Sequence, residues 1–291
     1  MLDNRAVSEQ MDHGFGSLSE ELCGDIVSVL GVSRVPWIFR ALETFGLTKE
    51  AWSAVRMNLM SEEAEEAAKL LRTHRLGVPP LLIDWRNLYS PGSFEHLRSL
   101  VNASYESNPR LLLMVSLWVE GLSGRSIRGR KGRETGGEPV AVSARREEAK
   151  LPLKGGKGAP KAGPIENALS SRLLMNEIAE YHTLWGMPDD YSALILYPEF
   201  LRIHWGSLKP HLKSSGYAAA KRQIVAEASM KVHELPYAAD LSGWFAESEQ
   251  TFGDREQGET DKARLLELLY LLQDQLAGLL LEISFIRSSL H

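Results

Sequence analysis

The stretch WGMPDDYSALILYPEFLRIHWGSLKPHL, residues 185–212, decides the fold because its pattern occurs twice in the chain. The earlier copy is VPWIFRALETFGLTKEAWSAVR, residues 35–56. When the copies are aligned, five positions carry the same or a similar side chain, the last after one inserted residue: Phe39 and Tyr191, Ala41 and Ala193, Leu42 and Leu194, Phe45 and Tyr197, Trp52 and Trp205. An offset of about 150 residues lies far outside the short periods of solenoid repeats. The sequence therefore predicts an internal duplication.

Two adjacent carboxylates occur in the later copy alone. Asp189 and Asp190 follow Pro188 at the start of an apolar run with helical spacing, whereas Trp37 and Ile38 hold the aligned positions in the earlier copy. Asp at a helix start is often an N-cap residue. A carboxylate at the edge of an apolar segment can also act as a buried base. From the residues alone, both interpretations of each Asp stay open.

The composition indicates a globular protein. With 291 residues, of which 44% are hydrophobic, the chain can bury a substantial core in one or two domains. The single Cys23 excludes an internal disulfide and a cysteine-based zinc cluster, and it suits a reducing compartment. The N-terminal residues contain no apolar signal core, and the apolar segment 265–286 is interrupted by acidic and amide side chains. We therefore expect a cytoplasmic protein without a membrane span.

The net charge of -5 hides a basic segment in the middle of the chain. Residues 125–161 carry eleven Lys and Arg against four Glu, are rich in Gly and Pro, and contain no aromatic side chain for base stacking. We interpret residues 125–164 as a solvated linker rather than a nucleic-acid-binding segment. It would join a helical repeat at 1–124 to a second at 165–291, and the two repeats are expected to pack as one unit.

Helix signals occur throughout both halves, and no segment shows sustained period-two alternation, so we predict an all-α protein. Ser17 and Glu20 match a capping box, which places the first helix start near Ser17, and Ser61 is expected to cap another helix. Asn108 followed by Pro109 predicts an N-cap and the first turn of a central apolar helix. The last helix repeats apolar residues by fours and threes, so it must pack along another helix. The halves would pack about a pseudo-two-fold axis around a shared cavity.

Most common catalytic motifs are absent from the sequence. There is no GxSxG, no HExxH, no Glu-x-x-His pair and no GxGxxG after a strand. The eight His are scattered, and none has a second ligand at helical spacing. We therefore predict no metal site.

Three segments carry a resemblance to a known family: VPW at 35–37, NP at 108–109 before an apolar helix, and 186–198 around Asp190. In their order and spacing, the chain resembles the DehI-type (group I) 2-haloacid dehalogenases, also called halocarboxylic acid dehydrogenases. The likeness runs over about residues 34–286. It implies an all-α fold of two tandem repeats, an active site between them, no cofactor, and a homodimer.

The resemblance also implies a reaction. An Asp-activated water attacks C2 of a short 2-haloalkanoic acid and expels halide, inverting C2 without a covalent intermediate. Carried over to this sequence, the base corresponds to Asp190, and the Asn that helps to hold the water corresponds to Asn108. An apolar pocket suits such a carboxylate, because a base acts best on an oriented water. The positions implied for the substrate pocket are Trp37, Phe39, Leu111, Pro188, Asp189, Leu272, Gln275, Leu276 and Leu279.

The chain departs from the family pattern around this pocket. Asp189 stands where the family has Ser, and Pro188 where Ala or Asn influences the choice of enantiomer. Leu111, Leu272 and Gln275 replace pocket aromatics, and the loop after the VPW segment is about three residues shorter. A second carboxylate beside the base would repel an anionic haloacid or raise the pKa of its neighbour.

Two other functions therefore stay open. One is a base-assisted reaction on a different small molecule in the same cavity. The other is a non-catalytic helical ligand-binding or scaffold protein in which the acids serve only as caps.

Overall fold

The computed structural model describes residues 18–125, 127, 129, 165–182, 188–239, 241, 244 and 255–290. Apart from an isolated antiparallel bridge between Ile127 and Ala239, these residues form helices, turns and irregular segments without a strand. The predicted all-α class is confirmed. Most of the predicted linker, together with Trp185 in the duplicated stretch, lies outside the described residues.

Eleven helices occur in this part of the chain. In order they are α1 (Glu20–Leu30), α2 (Ile38–Thr44), α3 (Thr48–Leu59), α4 (Glu62–Leu71), α5 (Trp85–Leu88), α6 (Pro91–Leu122), α7 (Ile165–His182), α8 (Asp189–Leu194), α9 (Pro198–Leu212), α10 (Ser215–Val232) and α11 (Arg255–Ser288). The sequence pattern predicts one helix from about Thr48 to Leu59 and another from Pro198 to Leu212, and the bounds of α3 and α9 confirm both. The sequence also predicts a short helix from Asp190 to about Leu196. The observed helix, α8, begins one residue earlier and ends at Leu194.

Serine caps set the start of several helices. Ser61 opens α4, and its Oγ accepts a backbone N–H bond at 3.1 Å, as predicted. At α1 the prediction is wrong, because the N-cap is Ser19, whose Oγ accepts from the N–H of Leu22 at 3.2 Å. With this start, Glu20 is the first helical residue, where its negative charge favours the helix N-terminus. Ser17 lies outside the described residues.

Helix α6 corrects the prediction of a helix start at Asn108. It is one continuous helix with Pro109 in its interior. Proline has no backbone N–H, and an interior proline costs a helix about 3 kcal/mol. That cost is offset by packing, because buried apolar residues continue on both sides of it, from Leu97 to Leu112. Asn108, only 3% exposed, therefore lies mid-helix, where its side chain can make a tertiary contact instead of a cap.

Helices α6 and α11 form the centre of the described structure, with the most extensive contact between any two helices in it. The predicted apolar stripe of the last helix is buried throughout: Leu265, Leu269, Leu272, Leu276, Leu279, Ile283, Ile286 and Leu290. Its predicted packing along another helix is confirmed. The segment Thr260–Ser288 is long and apolar enough to cross a membrane, but 78% of its apolar window is buried inside the protein, as in a core helix.

In the first half of the chain, Trp52 of α3 links three helices. Its Nε1 donates to Asp25 Oδ2 of α1 at 2.7 Å, and Arg56 Nε donates to the same oxygen at 2.6 Å. The ring of Phe39 in α2 meets Trp52 edge-on, with 5.9 Å between ring centroids. The bond from Arg56 lowers the pKa of the Asp25 carboxyl, so the acid stays ionised beneath the indole.

A matching set of contacts occurs in the second half. Trp205 Nε1 of α9 donates to Glu177 Oε1 of α7 at 3.1 Å, and Lys209 forms an ion pair with the same carboxylate. The ring of Tyr191 in α8 meets Trp205 edge-on at 5.8 Å. In both halves an indole therefore binds an acid of an earlier helix, and a cation four residues beyond the indole pairs with that acid. The two ring pairs, Phe39 with Trp52 and Tyr191 with Trp205, occupy positions that the sequence alignment matches.

Candidate active site

Asp190 is the second residue of α8, which begins directly after the buried Pro188. Pro188 holds the N-cap position, so neither Asp is the N-cap residue and that interpretation is wrong. The partly buried Asp190 carboxylate meets α6, where Asn108 Nδ2 donates to its Oδ1 at 3.2 Å. The hydroxyl of Ser104 also hydrogen-bonds this carboxylate. The structure thus brings the predicted base and the predicted Asn into direct contact.

One face of α6 supplies these hydrogen-bond donors. Ser104, Asn108 and Leu111 follow one another at spacings of four and three, which places them on the same side of a helix. Ser104 was missed in the sequence analysis, although its spacing from Asn108 is the signal that could have found it. Because α6 belongs to the first half and α8 to the second, the candidate site lies where the halves meet.

Burial raises the pKa of the Asp190 carboxyl above its ordinary value of 3.8, and the negative charge of Asp189 acts in the same direction. The hydrogen bonds from Ser104 and Asn108 lower this pKa but offset the rise only in part. A carboxylate with a raised pKa is a stronger base in its ionised form. The arrangement can therefore orient a polar molecule and remove a proton from it.

Asp189 points away from this contact, toward the surface. It forms an ion pair with Arg34, and the two side chains are 49% and 59% exposed. Arg34 precedes α2, so the pair joins the two halves beside the candidate base. Arg34 was also missed in the sequence analysis, because nothing local distinguishes an exposed Arg from its many equivalents. The repulsion expected from Asp189 is thus opposed by a neighbouring positive charge.

The two aromatic residues implied for the pocket lie in different surroundings. Trp37 is partly buried and directly precedes α2. Phe39 is fully buried and meets both Trp52 and Trp118 edge-on, with centroid distances of 5.9 Å. Phe39 therefore packs in the core of the first half. A substrate contact for either residue stays a prediction.

The residues implied on α11 lie mainly within the core. Leu272, Leu276 and Leu279 are buried, whereas Gln275 is partly buried. The Gln275 Oε1 atom is buried without a hydrogen-bond partner among the described residues, which is uncommon in folded proteins. Leu111 of α6 is partly buried against the same core. The pocket roles of these residues stay predictions.

Two surface grooves are built from other parts of the chain. One, of about 300 Å³, lies between α4 and the end of α10, and the other, of about 420 Å³, lies beside α5 and the end of α11. Neither is lined by a predicted site residue. Within the described ranges, no group of three or more His, Cys, Asp or Glu side chains is placed to hold a metal ion.

Comparisons with known proteins point to one family. Residues 33–153 match a family model described as halocarboxylic acid dehydrogenase DehI. A configuration-inverting 2-haloacid dehalogenase from Alcaligenes xylosoxydans xylosoxydans is 29% identical over 222 residues, which cover 72% of this chain and 71% of the relative. An (R)-2-haloacid dehalogenase from Pseudomonas putida is 25% identical over 200 residues, which cover 67% of this chain and 60% of the relative.

A solved structure shares the fold. The complex of a D-2-haloacid dehalogenase with L-LA superimposes with a TM-score of 0.70 and 21% sequence identity, covering 94% of each chain. The similarity extends through almost the whole chain, so the helical fold of the two proteins is the same.

Proposed function

We propose that this chain, which is similar to the halocarboxylic acid dehydrogenase DehI family, is a hydrolase that releases halide from short 2-haloalkanoic acids. A water activated by Asp190 attacks C2 on the side opposite to the halogen, so the configuration inverts and no covalent intermediate forms. The observation that carries this proposal is the hydrogen bond between Asp190 and Asn108, which joins a partly buried carboxylate to a buried amide of the other half.

The displacement balances with water as the co-reactant. As the water oxygen bonds to C2, the carbon–halogen bond breaks and its electron pair leaves with the halide. One water proton passes to Asp190 and then to solvent, and the product is a 2-hydroxy acid. Asn108 uses its Nδ2 to hold Asp190, while its amide oxygen can accept a hydrogen bond from the attacking water. Holding the water in line in this way lowers the entropic part of the barrier.

Arg34 provides a positive charge for the carboxylate of the substrate. Its partner Asp189 is directly adjacent to Asp190 in the chain, and both members of the ion pair are exposed, which supports a position for the guanidinium at the open side of the site. Exposed ion pairs contribute only about 0–1 kcal/mol, so a substrate carboxylate can compete with Asp189 for Arg34. The acid at position 189 is in this way compatible with an anionic substrate.

The two halves of the chain are, in this proposal, tandem repeats related by a pseudo-two-fold axis. The matched contacts of Trp52 and Trp205 support the relationship, because they reproduce an indole–acid bond and an edge-on ring pair at aligned positions. The expected homodimer and the cytoplasmic location stay predictions, and sedimentation analysis of the purified protein tests the former.

Halide release tests the proposed activity. Purified protein is incubated with haloacetates and with each enantiomer of 2-chloropropionate, with and without a chelator. Halide is measured by ion chromatography, and the product is analysed by chiral chromatography. We expect release that the chelator does not change and a 2-hydroxypropionate of inverted configuration. Retained configuration would contradict direct displacement, and no release from any of these acids would favour another small molecule or a non-catalytic role.

A further inference from the structure

A carboxylate is buried in the second half of the chain at a place where the apolar pattern of α11 predicts only packing. Glu282 is 0% exposed. The hydroxyl of Tyr191 donates to its Oε2 at 2.5 Å, and the hydroxyl of Tyr217 donates to its Oε1 at 2.5 Å. The Nε2 atom of His182 lies 3.4 Å from Oε2. Side chains from α7, α8 and α10 therefore meet at one acid of α11.

Burial by itself acts to raise the pKa of the Glu282 carboxyl, but His182 and the two phenol donors hold it below its ordinary value of 4.5. Burial and the nearby Glu282 charge raise the pKa of both Tyr191 and Tyr217. Both phenols therefore keep their protons and act as donors to an ionised acceptor, and hydrogen bonds of this kind are about twice as strong as neutral ones.

The positions of these residues along the chain connect the cluster to the candidate base. Tyr191 directly follows Asp190, and His182 is the last residue of α7. Glu282 therefore contacts both ends of the segment that leads from α7 into α8. Because α8 has only six residues and its N-cap makes no side-chain bond, its own backbone bonds do little to fix it. Its orientation must come from tertiary contacts.

A glycine of α11, Gly278, faces this cluster. A Cβ atom at Gly278, one turn before Glu282, would lie 2.4 Å from the hydroxyl oxygen of Tyr217. Any larger side chain at Gly278 would displace that phenol from the carboxylate. Gly278 thus leaves room for the hydrogen bond from Tyr217 to Glu282.

The first half shows that the same helix contacts can be built without a buried charge. At the position aligned with Tyr191, Phe39 fills the space with its ring against Trp52 and Trp118 and has no hydroxyl. A buried ionised group is expensive, and an apolar replacement of similar size often leaves stability unchanged or improves it. The phenol of Tyr191 and its acid, Glu282, occur in the half that carries Asp190. The other half has Ile38 at the position aligned with Asp190.

We propose that Tyr191 and Glu282 are positioning residues for Asp190. Their hydrogen bond fixes the rotation of α8 about its axis and so holds the Asp190 carboxylate against Asn108 and Ser104. This inference rests on the proposed function of Asp190 as the base. A displacement of about 1 Å in a reacting group can lower a rate about 100-fold, so loss of this bond should affect turnover more than substrate binding.

The test compares Tyr191→Phe with Tyr217→Phe, because each variant removes one phenol bond from the same buried carboxylate. Tyr191→Phe is expected to lower kcat about 10- to 100-fold with KM changed less than about threefold, and Glu282→Gln should behave in the same way. Tyr217→Phe should keep kcat within about threefold of the parent at a similar loss of thermal stability. Equal kcat losses in the two Phe variants, or none in Tyr191→Phe, would overturn the inference.

A second measurement does not depend on turnover. Hydrogen exchange of the backbone amides of residues 192–197 is followed by mass spectrometry in the parent and both Phe variants. Faster exchange in Tyr191→Phe alone supports the anchoring of α8, and unchanged exchange in that variant contradicts it. If the parent releases no halide, the proposed function fails while the exchange experiment still decides whether Tyr191 anchors the helix.

Discussion

Asp190→Asn separates the chemical role of this carboxylate from its structural role. The amide has nearly the same shape and keeps an oxygen that can accept the bonds from Asn108 and Ser104. It carries no charge, however, and cannot take a proton from water at neutral pH. Removal of a general base typically lowers a rate about 100- to 10,000-fold, and we expect kcat to fall by that factor.

The same substitution is expected to leave the fold at least as stable. Because burial holds the pKa of Asp190 above its ordinary value of 3.8, ionisation is less favourable in the folded chain than in the unfolded chain. This unfavourable contribution is absent below the unfolded pKa, grows as the pH rises toward the folded pKa, and is complete above it. At pH 7 the Asn variant should therefore unfold at the same temperature as the parent or a higher one, and the difference should shrink near pH 4.

Steady-state halide release and thermal unfolding followed by circular dichroism check both parts of this prediction. Asp189→Asn is the matched control, because it makes the same chemical change on the exposed neighbour and should keep turnover. Parental turnover in a folded Asp190→Asn protein would refute the reasoning. Loss of turnover in the Asp189 variant alone would show that Asp189, and not Asp190, is the base.

Changing either member of the surface ion pair should move KM, in opposite directions. Arg34→Gln should raise KM for a haloacid by up to about fivefold, because an exposed ion pair contributes about 0–1 kcal/mol, whereas Asp189→Asn should lower it. Equal shifts in steady-state kinetics would contradict the role of Arg34. The acidic limb of the kcat/KM profile should lie above pH 3.8, because Asp190 must be ionised and its pKa is raised above that value. Asp189→Asn should move this limb to lower pH, because it removes a negative charge that raises the pKa of Asp190. A pH–rate profile of both proteins that showed no such displacement would contradict the account. Deleting residues 131–160, with a short Gly/Ser connection retained, should leave the melting temperature and kcat nearly unchanged, because added loop length costs little free energy. Loss of folding would show instead that the segment packs on the helices.

Local signals were enough to predict much of the helical framework. Ser61, before an acidic first turn, identified the start of α4, and Pro198 marked the start of α9, because both features act within one turn of helix. The contact between Asp190 and Asn108 was predictable only through the family resemblance. No periodicity relates two residues that lie 82 positions apart.

The failures of sequence reasoning share a physical cause, which is that tertiary contacts outweigh local preferences. Asn108 and Pro109 form a strong helix-start signal, yet α6 continues through them because the helix is buried both before and after Pro109. Glu282 interrupts an apolar run and looks like a solvent-facing residue, but two distant phenols satisfy it in the core.

The predicted linker boundary at residue 125 rested on the basic charge and on the Gly and Pro content of the segment, and it stays a prediction. The structure still buries Ile127, which pairs with Ala239, and a Cβ at Gly129 would lie 2.4 Å from the Ala238 nitrogen. Composition does not register such packing. For this reason the deletion described above begins only after residue 129.

The origin of the oxygen in the product tests the central claim most directly. Enzyme in excess over a 2-haloacid is allowed a single turnover in water enriched in oxygen-18, and the product and the peptide containing Asp190 are analysed by mass spectrometry. Direct attack by water predicts a heavy oxygen in the hydroxy acid and none in Asp190. An unlabelled product with heavy oxygen in the Asp190 carboxylate would show that Asp190 attacks the substrate itself.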